Sequence, residues 1–249
     1  MKRFLITVFL TLLLDVAISQ VSARQTGKFA VTSTVIDLLG EESAQAFKEK
    51  IAVDQLITWE VYVPANYDPE KPAGVLVFVN SRNSGKIETE WKAVMDSMNL
   101  IYISANESGN DIDVPIRVAY AILAPRVMLK NYAIDPERIY VSGFSGGSRV
   151  ASMVAPEYNS LFKGAIYNSG ANFWGESALQ RYREMADQNY VFITGTEDFN
   201  LEDTKEVYNA YLEAGIDNSK LVVIPGMGHK RPAAEYLESA IQYLDLNQD

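Results

Sequence analysis

Ser145 sits in the pentapeptide Gly143-Phe144-Ser145-Gly146-Gly147, entered by the β-branched and aromatic run Ile139-Tyr-Val-Ser and left by the small-residue run Ser148-Arg-Val-Ala-Ser-Met. A G-x-S-x-G turn in this setting is the sequence form of a nucleophile elbow, in which a sharp strand-to-helix turn exposes the central serine. The turn forces that serine into an unfavourable backbone conformation, and residues two positions away must be small to clear the neighbouring strand and helix. Gly143 and Gly147 meet this demand. The amide of Gly146, opening the helix, would face an oxyanion forming beside Ser145.

A serine nucleophile needs a base, and the chain contains one histidine, His229, in Pro225-Gly-Met-Gly-His229 just beyond an apolar run. The glycines allow this loop to turn sharply at the carboxyl end of a sheet, where a base would be placed. A carboxylate must then fix the imidazole's tautomer and stabilise the imidazolium. Glu197 and Asp198, in Gly195-Thr-Glu-Asp-Phe-Asn200, both lie past a predicted strand. Asp198 is preferred because a short side chain in this turn can be locked by loop amides, whereas Glu197 reads as a solvated acid.

These residues have to be carried by strands that end at one edge. The chain of 249 residues, 48% hydrophobic, suffices for one α/β domain over residues 24–249. Residues 28–39 begin β-rich and 43–51 read as a helix with Ala44, Phe47 and Ile51 on one face; strand-like runs at 56–64 and 74–79 then precede a regular alternation: helix 88–98, strand 100–104, helical region 114–132, strand 138–142, helix 146–155, strand 163–168, helix 176–187, strand 190–195, helix 202–214, strand 220–224 and helix 232–244. Runs such as Val75-Leu-Val-Phe-Val79 and Leu221-Val-Val-Ile224 are apolar on both faces, as interior parallel strands covered by helices should be. Strands 56–64 and 74–79 are joined by a turn-rich segment, Asn66 to Pro72, and are expected to run antiparallel, so the sheet is mixed. Pro125, inside the helical region after Val114, should kink that helix or split it in two.

Lys2 and Arg3 precede an eleven-residue, largely apolar run, Phe4 to Leu14, and a stretch ending Val21-Ser22-Ala23. This pattern fits a secretory signal with cleavage after Ala23; the competing reading is an uncleaved anchor. The absence of cysteine excludes disulfides, thiol catalysis, cysteine-ligated metals and amino-terminal lipidation. The mature chain would carry 20 basic against 31 acidic residues, a net charge of −11, which makes nucleic acid and anionic membrane surfaces poor partners. No stable membrane anchor is expected after signal removal, and the location would be periplasmic or secreted.

The segments Val61-Tyr-Val-Pro-Ala-Asn-Tyr67 and Tyr140-Val-Ser-Gly-Phe-Ser-Gly-Gly-Ser-Arg-Val150 resemble serine esterases of the α/β-hydrolase superfamily, in particular secreted polyhydroxybutyrate-depolymerase-like and feruloyl-esterase-like members. The order Ser, Asp, His along the chain is that of the α/β-hydrolase fold. The resemblance covers the chain from about Trp59 onward and implies an α/β-hydrolase fold with a mixed, mostly parallel sheet, helices on both faces and no large cap domain. It also implies Ser145 as nucleophile, Asp198 as acid, His229 as base, and no cofactor or metal. Such enzymes often carry His-Gly after the third strand, where a loop amide completes the oxyanion hole with that of Gly146. Here Asn80-Ser81-Arg82 stands instead, leaving the second donor open between Ser81 and Arg82.

Phe144, Asn110, Phe173 and Trp174 are expected to contact substrate, the last two as walls of an acyl or alcohol pocket. Only 21 residues separate Asn168 from Tyr190, so the site should be open enough for bulky or oligomeric esters. The function implied is an exported ester hydrolase working through an acyl-enzyme. The alternatives are a peptidase or acyltransferase using the same residues, or a binding protein that keeps the fold without catalysis.

Overall fold

The computed structural model describes residues 24–174 and 179–247; the expected signal segment, 1–23, lies outside them. Strand β1 (Gly27–Ser33) leads through the short helices α1 (Val35–Leu39) and α2 (Glu41–Ala44) to β2 (Ile57–Val63). Then come β3 (Ala73–Val79), α3 (Trp91–Ser97), β4 (Leu100–Ala105), α4 (Val114–Leu129), β5 (Ile134–Phe144) and α5 (Gly146–Glu157). The carboxyl-terminal half contains β6 (Gly164–Asn168), α6 (Leu179–Glu184), β7 (Asn189–Glu197), α7 (Leu201–Glu213), β8 (Ser219–Gly228) and α8 (Ala234–Leu244).

The eight strands form one sheet in the order β1-β2-β4-β3-β5-β6-β7-β8. β1 and β2 pair antiparallel, as do β2 and β4, while every pair from β4 across to β8 is parallel. The mixed sheet is therefore as expected, but β2 and β3 are not neighbours, because β4 lies between them. All seven residues of β3 are buried, and an interior apolar strand is satisfied by a parallel strand on each side, here β4 and β5, rather than by a hairpin partner at an edge.

Alternation along β3 assigns the two halves of the core. Val75, Val77 and Val79 face a cluster containing Ala121, Leu123 and Val127 of α4, Val150 and Val154 of α5, and Tyr211 of α7. Leu76 and Phe78 face a second cluster with Trp91 and Met95 of α3 and Leu237 and Ile241 of α8. Successive strand residues point to opposite faces, so the doubly apolar run becomes one strand between two helical layers. Pro125 is buried within α4, which runs unbroken from Val114 to Leu129; the split into two helices does not occur. Pro125 cannot donate to the Ala121 carbonyl one turn earlier, and packing of the helix's buried side chains holds it together across the missing amide bond.

The end of the chain is tied back to the sheet by charge. Asp245, just past α8, accepts from Arg138 Nε at 3.0 Å, from a terminal guanidinium nitrogen of the same residue at 2.8 Å and from the Tyr140 hydroxyl at 2.6 Å. Tyr140 is fully buried, so removing the acceptor leaves a polar group without water or partner. Asp245→Ala is expected to lower stability by about 1–3 kcal/mol, measured by urea unfolding; an unchanged midpoint would show that this contact does not hold α8 to β5.

Candidate functional site

The β5 to α5 turn places Ser145 at φ 56°, ψ −123°, a backbone conformation that non-glycine residues rarely adopt. Several contacts hold it there. The Ser145 amide donates to Asn168 O at 2.9 Å, and Asn168 Nδ2 donates to Gly143 O at 2.7 Å. A Cβ placed on Gly147 would stand 2.1 Å from Val79 O, and one on Gly143 would stand 2.5 Å from the Gly147 carbonyl. The first turn of α5 thus packs directly on the end of β3, and both glycines are required by backbone contact.

Asp198 and His229 are brought together by strand register. β7 and β8 run beyond their expected ends, and Glu197 is paired with Gly228 across the two strands, so the next residue on each strand emerges at the same place. The strands approach so closely that a Cβ on Gly195 would meet Met227 O at 1.8 Å. His229 Nδ1 lies 2.8 Å from Asp198 Oδ1, and His229 Nε2 lies 2.8 Å from Ser145 Oγ. With Nδ1 carrying the proton toward the carboxylate, Nε2 is free to accept the Ser145 hydroxyl. Glu197 is exposed at the end of β7, whereas the Asp198 side chain is fully buried. Of the two candidate acids, the structure joins Asp198 to the histidine.

Burial pushes the Asp198 carboxyl upward, but the Ser169 hydroxyl, the Asn200 amide and His229 together hold it below the ordinary carboxylate value. The Asn200 amide donates to Asp198 Oδ1 at 2.9 Å, the loop-amide lock that a short acid in this turn allows. Asp198 is consequently an anion across the neutral range.

The Gly146 amide starts the 12-residue helix α5, where the helix dipole favours negative charge. The Arg82 amide donates to Asn80 Oδ1 at 3.1 Å and is not available. No acceptor among the described residues engages the Ser81 amide, so of the two expected donors it is the one whose N–H is uncommitted. Asn80 organises this loop: its Oδ1 also accepts from Arg231 at 2.7 Å, and its carbonyl accepts from the buried Arg117 of α4 at 2.9 Å. Arg117 also donates to Ser108 O at 2.9 Å, and the Asn110 amide donates to Ser81 O at 3.2 Å. The loops after β3 and β4 are therefore clasped together, with the Asn110 carboxamide against Gly146, where a Cβ would meet its Oδ1 at 2.2 Å.

The aromatic residues expected near the substrate are placed differently from one another. The Phe144 ring lies 5.0 Å from that of His229. Phe173 instead stacks on Tyr182 at 4.5 Å and joins the aromatic core with Tyr211. Trp174 lines surface clefts beside α5 and α7 that include none of Ser145, Asp198 and His229. Arg149, bonded to Ala171 O and Asn172 Oδ1, and Tyr182, which accepts from the Trp174 amide, draw this segment toward the helices. The ring that flanks His229 from the solvent side is Phe199, 4.0 Å away and 77% exposed. It follows the candidate acid directly, a position that carried no periodicity to single it out. Arg231 also went unnoticed in the sequence; its guanidinium lies over Phe78, Trp91 and Phe144 and pairs with Glu88.

No protein-family model matches the sequence, and no curated protein matches it. Solved structures do match its architecture. A ferulic acid esterase superposes with a TM-score of 0.60 at 19% identity, over 90% of this chain and 98% of that one. A mutant feruloyl esterase module from Clostridium thermocellum, complexed with sinapinate, gives 0.63 at 16% identity, over 91% of each chain. An S-formylglutathione hydrolase from Staphylococcus aureus gives 0.58 at 12% identity, over 91% of this chain and 98% of that one. This chain has the α/β-hydrolase fold. Within that fold Ser145 stands in the turn between β5 and α5, and Ser81 in the loop after β3.

Two outcomes follow from this geometry. Gly147→Ala is expected to destabilise the hydrolase fold by more than the ~1–3 kcal/mol of ordinary overpacking, because backbone at Val79 cannot yield; thermal unfolding at wild-type Tm would contradict the close packing. Asp198, with its folded-state pKa lowered, contributes stability above the ordinary carboxylate range that is lost as pH falls through the lowered value. The Tm difference between wild type and Asp198→Asn should therefore shrink on acidification toward pH ~3, and a difference constant with pH would contradict it.

Proposed function

We propose that this chain is a serine hydrolase that cleaves carboxylic esters through an acyl-enzyme. The observation that carries the proposal is the continuous hydrogen-bonded chain from Ser145 through His229 to the buried Asp198, starting at a serine held in a strained elbow. Ser145 Oγ attacks the ester carbonyl while His229 Nε2 takes its proton, and Asp198 stabilises the imidazolium that results. The negative charge developing on the carbonyl oxygen is received by the amides of Gly146 and Ser81. His229 returns the proton to the departing alkoxide, releasing an alcohol and leaving the acyl group on Ser145. Water, deprotonated by the same imidazole, then attacks this ester, and collapse of the second tetrahedral intermediate releases the acid and restores the serine.

No helix among the described residues is long and apolar enough to cross a membrane, and Phe199 stands exposed at the mouth of the site. The exposed ring fits an open surface that receives small or oligomeric esters, supporting an apolar part of the substrate. The basic, apolar, small-residue order of residues 2–23 supports export with cleavage after Ala23.

The test is hydrolysis of short-chain and aryl esters by purified protein. Ser145→Ala is expected to reduce kcat by at least ~10⁴-fold and Asp198→Asn by about 10³–10⁴-fold, with Glu197→Gln staying within about twofold of wild type. Phe199→Ala should raise KM for aryl esters about three- to tenfold and leave that for acetate esters little changed. Wild-type turnover in Ser145→Ala would refute the mechanism. A folded wild-type chain that binds esters without cleaving them would assign it to the binding proteins.

A further inference from the structure

Around Asp198, one carboxylate oxygen is fully engaged and the other is not. Oδ1 takes the Asn200 amide and His229 Nδ1. Oδ2 is buried and hydrogen-bonded to nothing, and the same is true of the Ser169 hydroxyl oxygen. Ser169 is itself wholly buried and lies one residue past β6 at φ 55°. A residue there carries a conformational cost that glycine would avoid, and in a buried site its hydroxyl carries a further cost unless it meets an acceptor. Its main chain is fixed on both sides, by its amide donating to Ile193 O at 2.8 Å and by Asn200 Nδ2 donating to its carbonyl at 2.8 Å. Asn200 thus ties Ser169 and Asp198 into one unit, through its side chain to the first and its amide to the second.

We infer that Ser169 is a positioning residue whose hydroxyl donates to Asp198 Oδ2, fixing the carboxylate plane toward His229. This rests on the hydrolase reading of the site. The bond satisfies two buried atoms at once, and Ser169 touches neither the substrate nor the reacting atoms. The Ser169 hydroxyl already helps to lower the Asp198 carboxyl; the two oxygens lie outside hydrogen-bonding geometry as they stand, so the bond forms when one of the two side chains adjusts. As His229 takes the proton from Ser145, the anion facing it has to keep its orientation, and a second donor on the far oxygen prevents the carboxyl from rotating away.

The experiment compares wild type with Ser169→Ala and Ser169→Gly. Glycine removes the hydroxyl while relieving the strain at φ 55° that alanine keeps. Both variants are expected to lose about ten- to hundredfold in kcat on p-nitrophenyl acetate with KM little changed. A carboxylate accepting one bond fewer also holds its proton more readily. Thermal unfolding supplies a readout independent of turnover: in Ser169→Gly, the stability lost on acidification should begin to fall at higher pH than in wild type. Wild-type kcat in the glycine variant, or a lower kcat with the unfolding profile unmoved, would overturn the inference. If wild type itself hydrolyses no ester, the hydrolase reading fails and the unfolding profile alone decides: a shifted profile sustains the Ser169 to Asp198 bond, and an unshifted one refutes it.

Discussion

The close approach of α5 to the end of β3 is the constraint on which the site depends. Val79 O occupies the space that a Cβ on Gly147 would need, and Gly147 occupies the space that one on Gly143 would need. The chain between them can then leave β5 only through a sharp turn, and Ser145 takes up φ 56° at its apex. Its hydroxyl is thereby lifted off the strand toward His229, and the Gly146 amide is left unpaired at the start of a helix. Strain of this kind persists only where the surroundings over-determine it. Here they include the Asn168 carboxamide, which reaches Gly143 O from β6, and the Asn168 carbonyl, which accepts the Ser145 amide.

The other parts of the site are fixed by separate means that converge on that turn. Register between β7 and β8 delivers Asp198 and His229 as consecutive exits from paired strands. A buried guanidinium, Arg117, binds the carbonyls of Asn80 and Ser108 and so sets the loop bearing the Ser81 amide against the loop bearing Asn110. Arg231, two residues past the histidine, spans the remaining gap by reaching Asn80 from above Phe78 and Phe144. On the proposed reading this geometry is preorganised, with donors and dipoles in place before charge would develop, the form of electrostatic assistance that costs no rearrangement.

The alternation of doubly apolar strands with helical stretches made the parallel layer legible, because interior strands must be apolar on both faces. The elbow was legible for a related reason: only a few residue types fit its backbone. The pairing of β2 with β4 was not, since strand order depends on which partners complete the burial of β3 and local pattern carries no record of that. Likewise Phe173 sits after a strand as a substrate wall might, but stacking on Tyr182 claims it for the core. Phe199 and Arg231 acquire their roles from neighbours far away in sequence, and Arg82 is set apart from Ser81 only by which of two adjacent amides Asn80 captures. Each of these is a tertiary choice among locally equivalent options.

The central claim is that Ser145 is a nucleophile activated by His229. Its most direct test is reaction of the purified protein with a fluorophosphonate, followed by intact-mass measurement and peptide mapping. The account predicts a single adduct per chain, located on Ser145, with labelling slowed by orders of magnitude in His229→Ala. An unlabelled wild-type protein, an adduct on another residue, or labelling of Ser145 at the same rate without the histidine would contradict it.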